Sequence, residues 1–116
     1  MMRNKEAPHI DFEELVGLLG KVVPSNLDMV LERKGHFLFA EWKRDNEKVS
    51  KGQEILLKAL AELPQNTVLI INGDTDNGMR VDSFWRVLPD GRCIKSGSGL
   101  IEFKDYIIEW YLDADA

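Results

Sequence analysis

The stretch LDMVLERKGHFLFAEWK, residues 27–43, decides how this chain folds. Leu27 to Arg33 and His36 to Lys43 are two strand candidates, and Lys34-Gly35 between them has the form of a two-residue hairpin turn. In the second run, residues 37, 39, 41 and 43 share one face, while Leu38, Ala40 and Trp42 share the other. If Lys34 and Gly35 are the two loop residues, Arg33 opposes His36, and stepping outward along the ladder Asp28 opposes Glu41. The hairpin therefore predicts two carboxylates face to face.

Working outward, Ser50-Lys-Gly-Gln53 has the S-x-x-Q form of a capping box and opens an apolar-rich helix that runs to Leu63, where Pro64 stops it. Thr67 to Ile71 is nearly all apolar and rich in β-branched residues, which predicts a central strand buried on both faces. A polar loop, Asn72 to Gly78, leads to a second hairpin, Arg80 to Leu88 and Arg92 to Lys95, turned by Pro89-Asp-Gly91. After Ser96-Gly-Ser-Gly99 a terminal helix is expected from about Lys104 to Leu112, with Phe103, Ile107, Trp110 and Tyr111 inward. Upstream, Phe12, Leu15, Val16 and Leu19 follow helical spacing, so Asp11 to Leu19 reads as a first helix capped by Asp11 and closed at Gly20. The expectation is one α/β domain over residues 1–116, with a central mixed sheet flanked by helices in the order helix, strands, helix, strand, followed by the second hairpin and terminal helix.

Composition narrows the function. The 116 residues are 44% apolar and 30% charged, an ordinary globular balance. No apolar run approaches the roughly 18 residues of a membrane span, and Met1 to Pro8 is polar with no signal-peptide stretch behind it, so a cytoplasmic protein without membrane partners is expected. The single cysteine, Cys93, excludes an internal disulfide and a cysteine zinc site. Residues 1–58 carry 10 basic and 10 acidic side chains and 59–116 carry 5 and 10, so the net charge of −5 arises entirely in the second half. A polyanion would have to meet the first half.

Like charges opposed on a sheet are destabilising, so Asp28 facing Glu41 makes best sense with a cation between them. Mg²⁺ prefers one or two carboxylates plus water and substrate phosphate, and Mn²⁺ can substitute. Lys43, two residues on and on the same face, is placed to orient a nucleophile or neutralise charge developing on a phosphoryl group. That combination suits phosphodiester hydrolysis. E-x-K also occurs at Glu32-Arg33-Lys34 and Glu102-Phe103-Lys104, but the first falls on the turn and the second at a helix entry.

In these residues the chain resembles the PD-(D/E)xK nuclease superfamily, and within it the small virus-type replication-repair (VRR-NUC) and junction-resolvase-like members. The likeness covers roughly residues 11–73: an acidic first helix (Phe12-Glu13-Glu14-Leu15), a strand with its aspartate (Pro24 to Asp28), Glu41-Trp42-Lys43, and a helix with Gln53 near its start. Leu27 stands where that pattern has proline. The resemblance implies a restriction-endonuclease-like core. It makes Asp28 and Glu41 metal ligands, Lys43 the catalytic lysine and the Trp42 carbonyl a further ligand. Gln53 becomes a secondary site residue, and Glu13 or Glu14 the acid of the first helix, with Glu13 nearer the apolar face. It implies a Mg²⁺-dependent DNA endonuclease of replication, repair or phage context, without a small-molecule cofactor; because a 116-residue domain has little surface for gripping two strands, a homodimer is the expected working form. Arg33, Lys34, Arg44, Lys48 and Lys51 would form a basic rim for DNA.

Each residue also has a plain structural reading. Asp28 and Glu41 would be solvent-face acids, Lys43 a guard on a strand edge, Gln53 the second half of a capping box, and Trp42, Trp85 and Trp110 core. Function then has an alternative, a catalytically silent nuclease-fold binding module in a replication or phage assembly, for which an acidic chain is natural.

Overall fold

The structure, a computed structural model, describes residues 11–116; the polar start, Met1 to Pro8, lies outside the described residues. Strands β1 (Met29–Arg33) and β2 (His36–Lys43) form the expected hairpin. Its register pairs Arg33 with His36 and Met29 with Ala40. Lys34 and Gly35 take φ of 51° and 81°. Two positive φ values make the turn whose twist matches the strands it joins.

Helix α1 (Lys51–Ala61) starts at Ser50, whose side chain accepts from the Gln53 N–H. It carries the chain over to β3 (Asn66–Asp74), which pairs in parallel with β2. A parallel neighbour needs such a crossover. β4 (Arg80–Val87) and β5 (Cys93–Gly97) then add antiparallel, so the mixed sheet has the order β1-β2-β3-β4-β5 with β3 at its centre. Helix α2 (Gly99–Asp115) closes the chain.

The two faces of the sheet carry separate cores. On one, Leu38, Ala40, Leu69, Ile71, Val81 and Phe84 pack with Phe103 of α2, and Trp42 joins them. On the other, Leu57 and Ala61 of α1 meet Val68 and Val87, with Phe39 and Ile70 alongside. Val68, Leu69 and Ile71 have no exposed surface, so β3 is buried on both faces as its apolar run requires. Fully burying side chains of this size contributes about 1.5–3 kcal/mol each, so the two cores dominate the stability of the fold. None of the helices among the described residues is long and apolar enough to cross a membrane.

Three expectations are corrected. The first helix does not form: residues 11–20 hold one 3-10 turn, Glu13–Leu15, and Gly17 and Gly20 adopt φ of 84° and 69°. A segment of nine residues is too short to be helical without a surface to pack on, and Leu15, Val16 and Leu19 remain exposed here. β3 runs on through Asn72 to Asp74, where a loop was expected, because a bulge at Asn72/Gly73 lets Asp74 still pair with Arg80. α2 begins at Gly99, five residues before the expected start, and Tyr111 lies outside its inner stripe, with the Arg33 guanidinium 5.5 Å from its ring centre.

Candidate metal centre

Asp28 sits one residue before β1, where the ladder to β2 ends. In a two-residue hairpin the pair flanking the loop exchanges hydrogen bonds, and every second pair outward does so too, so the next partner of the Trp42 backbone would be Leu27. The Asp28 carboxylate takes that place: its Oδ2 accepts the Trp42 N–H at 2.8 Å. A backbone requirement at the end of β2 thus fixes an exposed acid beside Glu41.

Glu41 and Lys43 project on the α1 face of β2. Both are buried, at 6% and 9% exposure, unlike the solvent-face acid and edge lysine of the plain reading. Gln53 Nε2, from the first turn of α1, donates to Glu41 Oε1 at 3.1 Å. Lys43 Nζ lies 3.8 Å from the same oxygen. Glu41 Oε2 is buried and has no hydrogen-bond partner. Burial, and then the nearby Asp28 charge, raise the pKa of the Glu41 carboxyl above the ordinary glutamate value, while Lys43 and Gln53 pull it back.

These donors fit a hard divalent cation. A buried carboxylate oxygen without a partner is costly, the charge of the Asp28 carboxylate acts on the same group, and both offer the oxygen chemistry that Mg²⁺ takes. An extended residue directs its N–H and C=O to the same side, so the Trp42 carbonyl also faces the Asp28 side of β2. Gln53 is not the second half of a capping box. Its backbone N–H donates to Ser50 Oγ at 3.2 Å, while its side chain donates to Glu41.

Glu13 and Glu14 are both exposed in the 3-10 turn. No group of three or more His, Cys, Asp or Glu placed to hold a metal occurs among the described residues. The basic rim divides. Lys48 and Lys51 are exposed on the approach to α1, on the side of the Glu41–Lys43 end of β2. Arg44 adjoins that end but is held by both Asp76 oxygens, at 2.7 and 2.9 Å. Arg33 and Lys34 lie at the hairpin turn, the far end of β2, roughly 20 Å from Lys43 at strand rise, and engage Asp115.

Two polar residues near the site were not singled out in the sequence. Asn72 pairs with Lys43 across β2 and β3, and Ser83 pairs with Asn72 across β3 and β4. Ser83 Oγ accepts from Asn72 Nδ2 at 2.9 Å and from Trp85 Nε1 at 3.1 Å. The polar row Lys43, Asn72, Ser83 thus crosses three strands at one level. A polar residue ending an apolar strand was the available signal, and it reads equally well as the start of a loop.

Comparison of the chain with known protein families, with curated proteins and with solved structures finds no match.

Proposed function

We propose that this chain is a metal-dependent DNA endonuclease with a restriction-endonuclease-like core, of the PD-(D/E)xK kind that roughly residues 11–73 resemble. The observation that carries the reading is the Glu41 carboxylate: one oxygen held by Gln53 and approached by Lys43, the other buried without a partner, and Asp28 beside it. A structural acid has no reason to bear that cost, whereas a metal ligand does.

Asp28 and Glu41 would hold Mg²⁺ or Mn²⁺, with the Trp42 carbonyl on the same side. When bound, the metal supplies a polarised phosphoryl oxygen and a more acidic water. Gln53 fixes the rotamer of Glu41. The Lys43 ammonium, kept close by Glu41, presents positive charge to the phosphoryl group as negative charge develops there. Lys48 and Lys51 offer phosphate contacts beside the site, and a homodimer would supply the surface that one small domain lacks.

The test is cleavage of labelled single-stranded, duplex and four-way-junction DNA with Mg²⁺ or Mn²⁺. Metal-dependent cutting is expected from wild type, and Asp28→Ala and Lys43→Ala should each reduce it at least about 100-fold. The net charge of −5 favours a second reading, a silent binding module on the same fold. Wild type and both variants equally inactive on all three substrates would establish that reading in place of the first.

A further inference from the structure

Helix α2 faces the sheet with Phe103, Tyr106, Ile107 and Trp110. Its outward side carries large apolar residues among the exposed charges Glu102, Lys104, Asp105 and Glu109. Ile101, Ile108 and Leu112 are 78%, 56% and 60% exposed. At about 100° per residue, the three fall within about 20° of one line along the helix. A single exposed isoleucine needs no explanation, but three in line on a surface helix form a seam of the kind that a partner helix covers.

Charge within the seam indicates the partner. Lys104 and Asp105 lie between the two isoleucines, and both are exposed. Among the described residues neither takes part in an ion pair, although nine such pairs form elsewhere. Adjacent opposite charges flanked by apolar residues are self-complementary under two-fold symmetry. An antiparallel pair of α2 helices with its axis between residues 104 and 105 sets each Lys104 against the second copy's Asp105. The same axis sets each Ile101 against the second copy's Ile108. Moving the axis to Ile108 would place Ile101 against Asp115, which Arg33 and Lys34 already engage, and Lys104 against Leu112.

We propose that the outer face of α2 is a self-docking surface, on which two copies of this chain pack α2 against α2, antiparallel, around paired Lys104–Asp105 contacts. The inference stands apart from the nuclease reading and would hold for a binding module as well. It gives the expected homodimer a geometry: α1 and the candidate metal centre lie on the opposite face of the sheet, so docking leaves both centres open and facing away from each other. With this axis residues 99–110 of the two helices overlap over about 18 Å and Leu112 lies just beyond, so the contact falls short of the roughly 800 Å² per partner of a standard interface. Association should therefore be reversible and dependent on concentration.

Sedimentation velocity on the full chain from about 1 to several hundred micromolar tests this. The wild-type mass should climb from 13.3 kDa toward twice that value. Lys104→Glu and Asp105→Lys should each return the protein to monomer, because each sets like charges together twice. Mixing these two variants in equal amounts, or combining both changes in one chain, should restore the dimer. Ile108→Glu should abolish it, with circular dichroism checking that α2 still folds. The proposal is overturned by a wild type that stays at 13.3 kDa throughout, which would leave the seam to a different protein. It is equally overturned by a dimer indifferent to the charge reversals, or by failure of mixing and of the double change to restore association.

Discussion

Gln53 Nε2 donates to Glu41 Oε1 across 3.1 Å, which ties the first turn of α1 to the end of β2. The helix start and the candidate metal centre thus share a residue but not a function within it. The Gln53 backbone closes the cap with Ser50, and its side chain steers the carboxylate.

Ser50 and Gln53 substitutions should therefore separate. Ser50→Ala is expected to cost about 1 kcal/mol of unfolding free energy while leaving Mn²⁺ affinity nearly unchanged. Gln53→Ala keeps the cap but releases Glu41, and Mn²⁺ affinity should fall about tenfold or more. Urea unfolding and calorimetry on both variants check this, and the reverse pattern would return Gln53 to a capping role.

Without divalent ions, Glu41 should make the protein less stable as pH rises. Its carboxyl pKa is raised above the ordinary 4.5, first by burial and then by Asp28, so the folded chain binds this proton more tightly than the unfolded chain does. The stability contributed by the neutral form is full below 4.5 and is lost as pH climbs through the folded value. Glu41→Gln should be more stable than wild type at neutral pH in chelator, with a flatter profile just above the ordinary carboxylate range, and should lose metal binding. Equal stability of the two at neutral pH would show that the carboxylate carries no burial penalty.

DNA affinity should depend on one part of the basic set. Lys48→Ala and Lys51→Ala are expected to weaken binding several-fold each and to lower the salt slope by about one, as loss of a phosphate contact does. Arg33→Ala and Lys34→Ala should leave binding unchanged, since both lie at the far end of β2 and face Asp115. Fluorescence anisotropy at several salt concentrations distinguishes the two groups. A loss on Arg33→Ala equal to that on Lys51→Ala would move the DNA path to the hairpin turn.

Ser83→Ala removes the acceptor of both Asn72 Nδ2 and Trp85 Nε1. Two half-buried donors left unpaired should cost about 1–3 kcal/mol in urea unfolding. Ser83→Cys keeps a weak acceptor and should cost less.

Much of this was legible in the chain. The turn at Lys34-Gly35 sets the register of β1 and β2, because a two-residue loop permits one pairing, and that register leaves Asp28 just beyond the ladder, where its carboxylate accepts the Trp42 N–H. Ser50 marks the start of α1, and the unbroken apolar run after Thr67 marks a central strand. These are local properties, since turn dihedrals, cap hydrogen bonds and side-chain period are written in residues a few positions apart.

What the chain alone left open depends on contacts between distant segments. Helical spacing at Phe12 to Leu19 was misleading, because a short amphipathic helix needs a surface and the glycines at 17 and 20 prefer other backbone angles. The extension of β3 through Asn72 follows from its pairing with β4, not from its own composition. Whether Gln53 caps or steers, and whether Arg33 and Lys34 lie near Lys43 or at the other end of the strand, depends on how α1 and α2 pack. By itself the sequence determined the hairpin and its register. Only the tertiary structure decided which side chains complete the centre, because burial and hydrogen-bond partners are set by residues that meet in space rather than in order.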